Sequence, residues 1–360
     1  MGRSMKLLFI LFAILVFFNC APKSETYTVE IIDGVRHVHN LVPKWGEEQR
    51  IELEFFRRIG ELETQDTNYQ FYRPRDIALD SKDNMYINDS GNYRILKYDK
   101  NGIFLLSFGN KGQGPGEFSQ LSRIVVFSDY EIYVAESGNF GPVHVFSNKG
   151  ELIREFNRNR YGVLFEAMNS KGHYVLYHRN INDTVLVHLM KGDNTEIRGF
   201  GQRIMYENLR MRLMGNSYDC VIDSEDNFYL VFSQQNRLEK YTSDGELLWR
   251  SSRLLPYEES KEFYWVNPDA ITTNQFSSGV QLDQQGRIWV TTYKTQVINE
   301  RKNPGSKVFE IFDNNGVLLT RLENEKLYSI ARFKIYGDRL YIIDSLYEHA
   351  VFEYRIIDKK

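Results

Sequence analysis

Cysteine, proline and net charge are all scarce in this chain of 360 residues: two Cys, eight Pro and a formal charge of −3. Two cysteines, Cys20 and Cys220, allow at most one disulfide, which excludes a small disulfide-stapled scaffold. So little proline excludes a polyproline or low-complexity chain. The 45 Lys and Arg against 48 Asp and Glu leave no basic surplus, so nucleic acid is not an expected partner. Long apolar runs are missing as well. The run Leu7 to Phe18 holds 12 residues, short of the roughly 20 that a membrane-crossing helix needs. No G-x-S-x-G elbow, H-E-x-x-H helix or G-K-[ST] phosphate-loop ending occurs.

What the chain has instead is aromatic and aliphatic mass. Hydrophobic residues make up 42% and aromatics 14%, with 23 Tyr and 24 Phe, the composition of a β-rich protein with a substantial core. The first twenty residues have a separate task. "MGRSMK" supplies Arg3 and Lys6 ahead of the apolar run, the pattern of a secretory signal. The following "FFNC", with its polar tether "APKSET", resembles the lipobox of bacterial lipoproteins. The resemblance implies that Cys20 receives a lipid, that the membrane is a partner through it, and that Ala21 in second place directs the protein to the outer membrane. Cys220, in an apolar strand, reads as a buried thiol.

Self-similarity organises the rest. The segments from Asp76, "DIALDSKDNMYINDSGNYRILKYDKNGIFLLSFG", and from Asp219, "DCVIDSEDNFYLVFSQQNRLEKYTSDGELLWRSS", align along their length as four short strands each. Turns "SKDN" and "KNG" in the first match "SEDN" and "SDG" in the second, and Asn and Gly there are expected to take the positive φ of tight hairpins. Further copies start at Arg123, Phe165 and Gly279, and a sixth ends the chain after three strands. Second strands begin at Met85, Ile132, Tyr174, Phe228, Ile288 and Leu340, 42 to 60 residues apart, and five of them continue with an aromatic residue: Tyr86, Tyr133, Tyr229, Trp289 and Tyr341. Four antiparallel strands per repeat of this length make a propeller blade. The fold class is therefore all-β, a six-bladed β-propeller of residues 51–358, preceded by a signal (1–20) and a tether with a hairpin (21–50). The segment "IELEFFRRIG", Ile51 to Gly60, is expected to supply the missing fourth strand of the last blade and close the ring.

The glycine-rich joint within "GNKGQGPGEF" (Gly112 to Phe118), the turn Asp80 to Asn84, the strand Met85 to Ile87, the D-x-x-N-x-R-I run at Asp89 to Ile95 and Tyr98 to Gly102 together resemble the pattern of NHL-repeat six-bladed propellers. The glycines read as a joint between blades rather than as a phosphate loop, with Phe118 packing between two sheets. Some relatives of that fold are calcium-dependent lactonases or amidating lyases, which gather ligands at the inner ends of the strands. The analogous positions here are Asp76, Arg123, Phe165, Asp219 and Gly279 at the starts of first strands. At the ends of second strands they are Asp89, Glu136, His178, Thr292 and Asp344. Ca²⁺ is the ion that such a carboxylate set would take, although Asp89, Glu136 and Asp344 also fill a structural slot of the blade motif.

Loop lengths give the ring two unlike faces. The joints between strands one and two and between three and four are short, whereas every long insertion falls at the other end, which marks the binding face. The insertion before blade four places Met205, Leu209 and Leu213 on one stripe and predicts a short helix lying on the ring. The insertion before blade five presents Phe263, Tyr264 and Trp265 to a pocket mouth. Arg73, Arg75, Arg94, Arg123 and Arg179 gather on the same face and suit an anionic ligand. The segment "YTVEIIDGVRHVHN" reads as a hairpin around Asp33-Gly34 whose His37 and His39 share a side, without the further ligands a metal site needs. The resulting expectation is an exported, lipid-anchored monomer that binds a protein, peptide or saccharide on the long-loop face, through Arg75, Asp76, Asp89, Arg123, Glu136, His178, Asp219 and the three aromatics, with no cofactor and no catalysis. The alternative is a lactonase-like or lyase-like enzyme with a divalent ion in the channel.

Overall fold

The computed structural model of the protein describes residues 25–61, 63–137, 141–157, 162–178, 180–193, 195–267, 270–295, 307–328 and 330–359. Six four-stranded antiparallel sheets stand as blades around an axis, making a six-bladed β-propeller. The innermost strands are Pro74–Leu79, Leu121–Ser128, Gly162–Met168, Tyr218–Ile222, Ser277–Leu282 and Ile330–Tyr336. Each touches the inner strands of the blades before and after it, and the sixth touches the first.

The repeat pattern has a local physical cause. In blade 1 the Asp80 carboxylate accepts the N–H groups of Lys82 (3.0 Å) and Asn84 (2.9 Å), and in blade 4 Asp223 accepts those of Glu225 and Asn227 (both 2.9 Å). The aromatic residue near the start of the second strand then donates to the same acid: Tyr229 Oη to Asp223 (3.1 Å) and Trp289 Nε1 to Asp283 (2.8 Å). One aspartate thus folds the turn and satisfies a buried aromatic dipole. The left-handed residue in the first turns is Asp83 (φ 64°) or Asp226 (φ 63°), not the neighbouring Asn, because the Asn side chain is occupied by the turn aspartate.

Between blades the core is continuous. Phe118 is fully buried among Tyr86, Ile95 and Phe108 of blade 1 and Ile132, Val134 and Phe146 of blade 2. The glycine-rich joint bends to put it there: Gly109 has φ 82°, and a Cβ at that position would lie 2.1 Å from the Phe118 ring. Glu117 reaches back to the Gly114 N–H (2.8 Å) and Asn110 Nδ2 (3.0 Å), so the loop is braced from within.

The chain's two ends close the ring. Strand β3, Ile51–Ile59, pairs antiparallel with the last strand, Ala350–Asp358, from Ile51 opposite Asp358 to Ile59 opposite Val351. Arg57 Nε lies 2.6 Å from the buried carboxylate of Glu353 across this seam, and Tyr341 Oη donates to the same carboxylate. Before it, β1 (Tyr27–Ile32) and β2 (Val35–Asn40) form the expected hairpin around Asp33-Gly34, but its position carries no sequence signal. β2 runs parallel to the outer strand of blade 4, Leu247–Arg253, and extends that sheet to six strands. Asn40 then reaches Ser251 Oγ (2.9 Å), Gly316 O (3.1 Å) and Leu318 N (2.7 Å), and Lys44 and Trp45 donate to Leu318 and Leu319 carbonyls. Residues 25–59 therefore clasp blades 4, 5 and 6 in succession.

Two insertions differ from expectation. The helix before blade 4, α1, spans Leu209–Met214 and buries Met211; Met205 and Leu209 are exposed and Leu213 is half-buried. The Asn208 side chain caps the N–H groups of Arg210 and Met211, so the helix starts after Met205 and turns a different stripe inward. Before blade 5, Tyr264–Asn267 pairs with Ala270–Thr272 as a small hairpin.

The seam yields a measurable expectation. Arg57→Ala leaves Glu353 buried with one charge partner fewer and is expected to cost about 3 kcal/mol, the lower end for a broken buried pair, because Tyr341 and the more distant Arg339 (4.0 Å) remain. Glu54→Ala, exposed on the same strand, is expected to stay within about 0.5 kcal/mol. Urea midpoints of the two variants check this, and equal losses would refute the role given to the seam pair.

Candidate functional site

First strands begin at the face that carries the insertions, so their opening residues converge on the channel mouth. Asp76 and Asp219 hold the same place in the two best-matched repeats and do the same work. Asp76 Oδ2 accepts the Ile124 N–H of blade 2 (3.1 Å), and Asp219 Oδ2 accepts the Val280 N–H of blade 5 (3.2 Å). Each is a latch to the next blade. Asp76 is fully buried, and burial raises its pKa against the pull of Lys334 (4.0 Å) and Arg123.

Asp219 also reaches across the axis. Its Oδ1 lies 2.6 Å from Arg123 Nη2 of blade 2 and 3.6 Å from Arg332 Nη1 of blade 6. Three alternate blades are thus tied through one carboxylate. Just above, Arg75, Ser122, Arg332 and Ser345 line an open cavity of about 290 Å³. Arg332 Nη1 is buried without a hydrogen bond, and no ion pair or hydrogen bond engages the exposed Arg75 side chain among the described residues. The residues lining this cavity bring two cations, Arg75 and Arg332, and no carboxylate. Guanidinium groups beside two serine hydroxyls suit a carboxylate, phosphate or sulfate.

At the ends of second strands Asp89 and Glu136 hold the loops leading into their own blades, and Asp344 holds the turn that follows it. Asp89 is buried and accepts the Tyr72 N–H (2.7 Å), Asn92 Nδ2 (2.9 Å) and Arg94 Nε (2.8 Å), while Arg94 also donates to the Thr67 and Gln70 carbonyls. Glu136 accepts the Ser119 and Gln120 N–H groups (3.1 and 3.0 Å), the Ser119 hydroxyl and His144 Nε2 (3.1 Å). Asp344 accepts the Leu346 and Tyr347 N–H groups (both 2.9 Å). In blade 5 Thr292 replaces the acid and joins Glu310 (2.8 Å) and the buried Arg253 (3.2 Å) instead. Among the described residues no group of three or more His, Cys, Asp or Glu converges as a metal site.

The remaining candidates scatter. Phe263 is half-buried under the Arg210 guanidinium, 5.4 Å from its ring. The side chains of His178, Tyr264, Trp265 and Phe165 lie outside the described residues, as do Cys20 and Arg179 altogether. Arg73 stacks on Tyr72 at 5.3 Å, away from the mouth cavity. His39 sits between Ser252 Oγ (3.0 Å) and Glu30 Oε1 (2.8 Å) on blade 4's added hairpin. Arg332 and Lys334 are the functional residues that sequence reasoning missed. Their signal was present, because "RFKIYGDRLYIIDS" aligns with "RIVVFSDYEIYVAES" and puts Arg332 in the slot of Arg123.

Glu136 makes the slot testable. Burial works to raise its pKa, but His144, Ser119 and the Gln120 N–H outweigh burial and hold it at about 2, below the ordinary 4.5. A depressed carboxyl stabilises fully above the unfolded value and loses that contribution as pH falls from 4.5 toward 2. Glu136→Gln is therefore expected to lower the urea midpoint at neutral pH and to converge with the parent near pH 2. A gap that persists unchanged in acid would refute the assignment.

Comparison with known proteins places the fold. Residues 52–139 match the DUF5128 family model, described as a 6-bladed beta-propeller. Over 88 residues the chain is 27% identical to Protein brain tumor of Drosophila melanogaster, a match covering 24% of this chain and 8% of that protein. Among solved structures it resembles a duf4221 family member from Bacteroides vulgatus (TM-score 0.61, 12% identity, 87% of this chain and 100% of that one). It also resembles a Bacteroides fragilis protein whose name assigns it to export (TM-score 0.60, 14% identity, 90% and 100%) and the virginiamycin B lyase of Staphylococcus aureus (TM-score 0.51, 11% identity, 85% and 100%). At these identities the likeness is one of architecture, and the architecture is the six-bladed β-propeller.

Proposed function

We propose that this protein is an exported, lipid-anchored binding propeller that takes an anionic group, carried on a peptide or a saccharide, at the channel mouth and performs no catalysis on it. The observation that carries the reading is the cavity of about 290 Å³ into which Arg75 and Arg332 bring guanidinium groups beside Ser122 and Ser345. A cationic, partly desolvated recess concentrates anions and orients them by bidentate hydrogen bonds. The non-catalytic part of the reading is supported by the acids. Asp76, Asp89, Glu136, Asp219 and Asp344 each accept two or more protein donors, which leaves them poorly placed to serve as metal ligands or as a general base. The reading assigns no resident metal.

Thermal shift against oligogalacturonate, its neutral galactose counterpart and poly-glutamate tests the ligand class. The acidic probes are expected to raise the melting temperature, less so as salt screens the mouth, and the neutral sugar to leave it unchanged. Arg75→Ala and Arg332→Ala are each expected to weaken binding about tenfold, the loss of one charge-assisted pair. No response to any acidic probe would overturn the reading, and calcium found by elemental analysis with an EDTA-dependent loss of stability would overturn its metal-free part.

A further inference from the structure

The chain's point of entry, the end of blade 4 and helix α1 are linked across one sector of the long-loop face. The Thr26 carbonyl accepts the N–H groups of Leu41 (3.0 Å) and Val42 (3.2 Å), and Leu254 donates to the Asn40 carbonyl (2.8 Å). From there Asn236 binds the Arg253 carbonyl (2.6 Å) and Glu259 (2.7 Å), and Gln235 binds the Gly215 carbonyl at the end of α1 (2.7 Å). This sector exposes aliphatic and thioether side chains at Leu41, Val42, Leu254 (65%), Met205, Leu209 (58%) and Met214. Single exposed apolar residues are ordinary, but a connected group around one chain terminus marks a surface with an occupant. The opposite end of the same blade is the acidic turn Asp223-Ser224-Glu225-Asp226.

We propose that this sector is the surface by which the anchored protein rests on its bilayer, with Leu41, Val42, Leu254, Met205, Leu209 and Met214 entering the headgroup–acyl boundary. The proposal rests on the reading of Cys20 as the lipid-bearing residue. Only Ala21 to Glu25 separate Cys20 from Thr26, and a fully extended chain of that length spans about 20 Å. A lipid on Cys20 therefore keeps the rim of blade 4 within about 20 Å of the headgroups. A surface held there gains by burying apolar area in the interface. Blade 4 stands opposite blade 1 in the six-membered ring, so docking leaves the Arg75 cavity, built from blades 1, 2 and 6, on the far side of the mouth.

The full-length lipidated chain tests this. Fluorophores placed one at a time at Leu209→Cys, Leu254→Cys and Ser224→Cys are read in phosphatidylethanolamine–phosphatidylglycerol vesicles containing a nitroxide-headgroup lipid, while the buried Cys220 escapes labelling. Quenching is expected at 209 and 254 and not at 224. Met205→Asp with Leu209→Asp is expected to abolish quenching at 254 while the protein stays in the membrane fraction. Cys20→Ser is expected to release the protein from membranes. Release by Cys20→Ser together with equal quenching at all three positions, or none, overturns the docking surface alone. Unchanged membrane association of Cys20→Ser overturns the anchor and the docking with it.

Discussion

The antiparallel pairing of β3 with the last strand is the constraint on which the molecule depends. Without it blade 6 is a three-stranded sheet with an open edge, and the first and sixth blades have no fixed relation. With it the ring is closed, and every inner strand meets a neighbour on both sides. Only the closed ring lets Asp219 of blade 4 meet Arg123 of blade 2 and come within 3.6 Å of Arg332 of blade 6. Closure at the rim therefore sets the electrostatics of the axis.

The acids at the inner ends of the strands divide into two kinds of structural service, and none of them lines the cavity that Arg75 and Arg332 face. Asp76 and Asp219 tie inner strands of successive blades; Asp89 and Glu136 tie the loop entering a blade to the second strand of that blade. Each of these carboxylates accepts two or more protein donors. Arg75 and Arg332 are not matched in this way, and their guanidinium groups face a recess with two hydroxyls. A fold that spends its carboxylates on backbone N–H groups presents its guanidinium groups to solvent.

The blade count, the strand boundaries and the closing strand were legible in the sequence because each rests on local chemistry. An aspartate four residues before its partner, as in Asp80 with Asn84 or Asp223 with Asn227, dictates a turn whatever surrounds it. The cross-axis pair was not legible. Arg123 and Asp219 are 96 positions apart, and only the closed ring decides that they face each other. α1 was placed correctly in the chain but with the wrong stripe inward, because the Asn208 cap sets the helix start and the alternation of Met and Leu does not. The hairpin's attachment to blade 4 is made chiefly of backbone pairing with Trp249 to Arg253, and such pairing leaves no trace in residue type.

The seam joins parts that are far apart in the chain. β3 precedes every blade in sequence, yet its partner strand comes last, and Arg57 must find a glutamate 296 positions later. Until then the nascent propeller is an open arc with two sticky flanks, and each completed blade lengthens the arc without removing either one. Contacts this distant are slow to form and expose the chain to mispairing while they are awaited. The clasp of residues 25–45 on blades 4 and 5 places β3 beside the last strand, so a separation of nearly the whole chain is bridged by contacts at the rim.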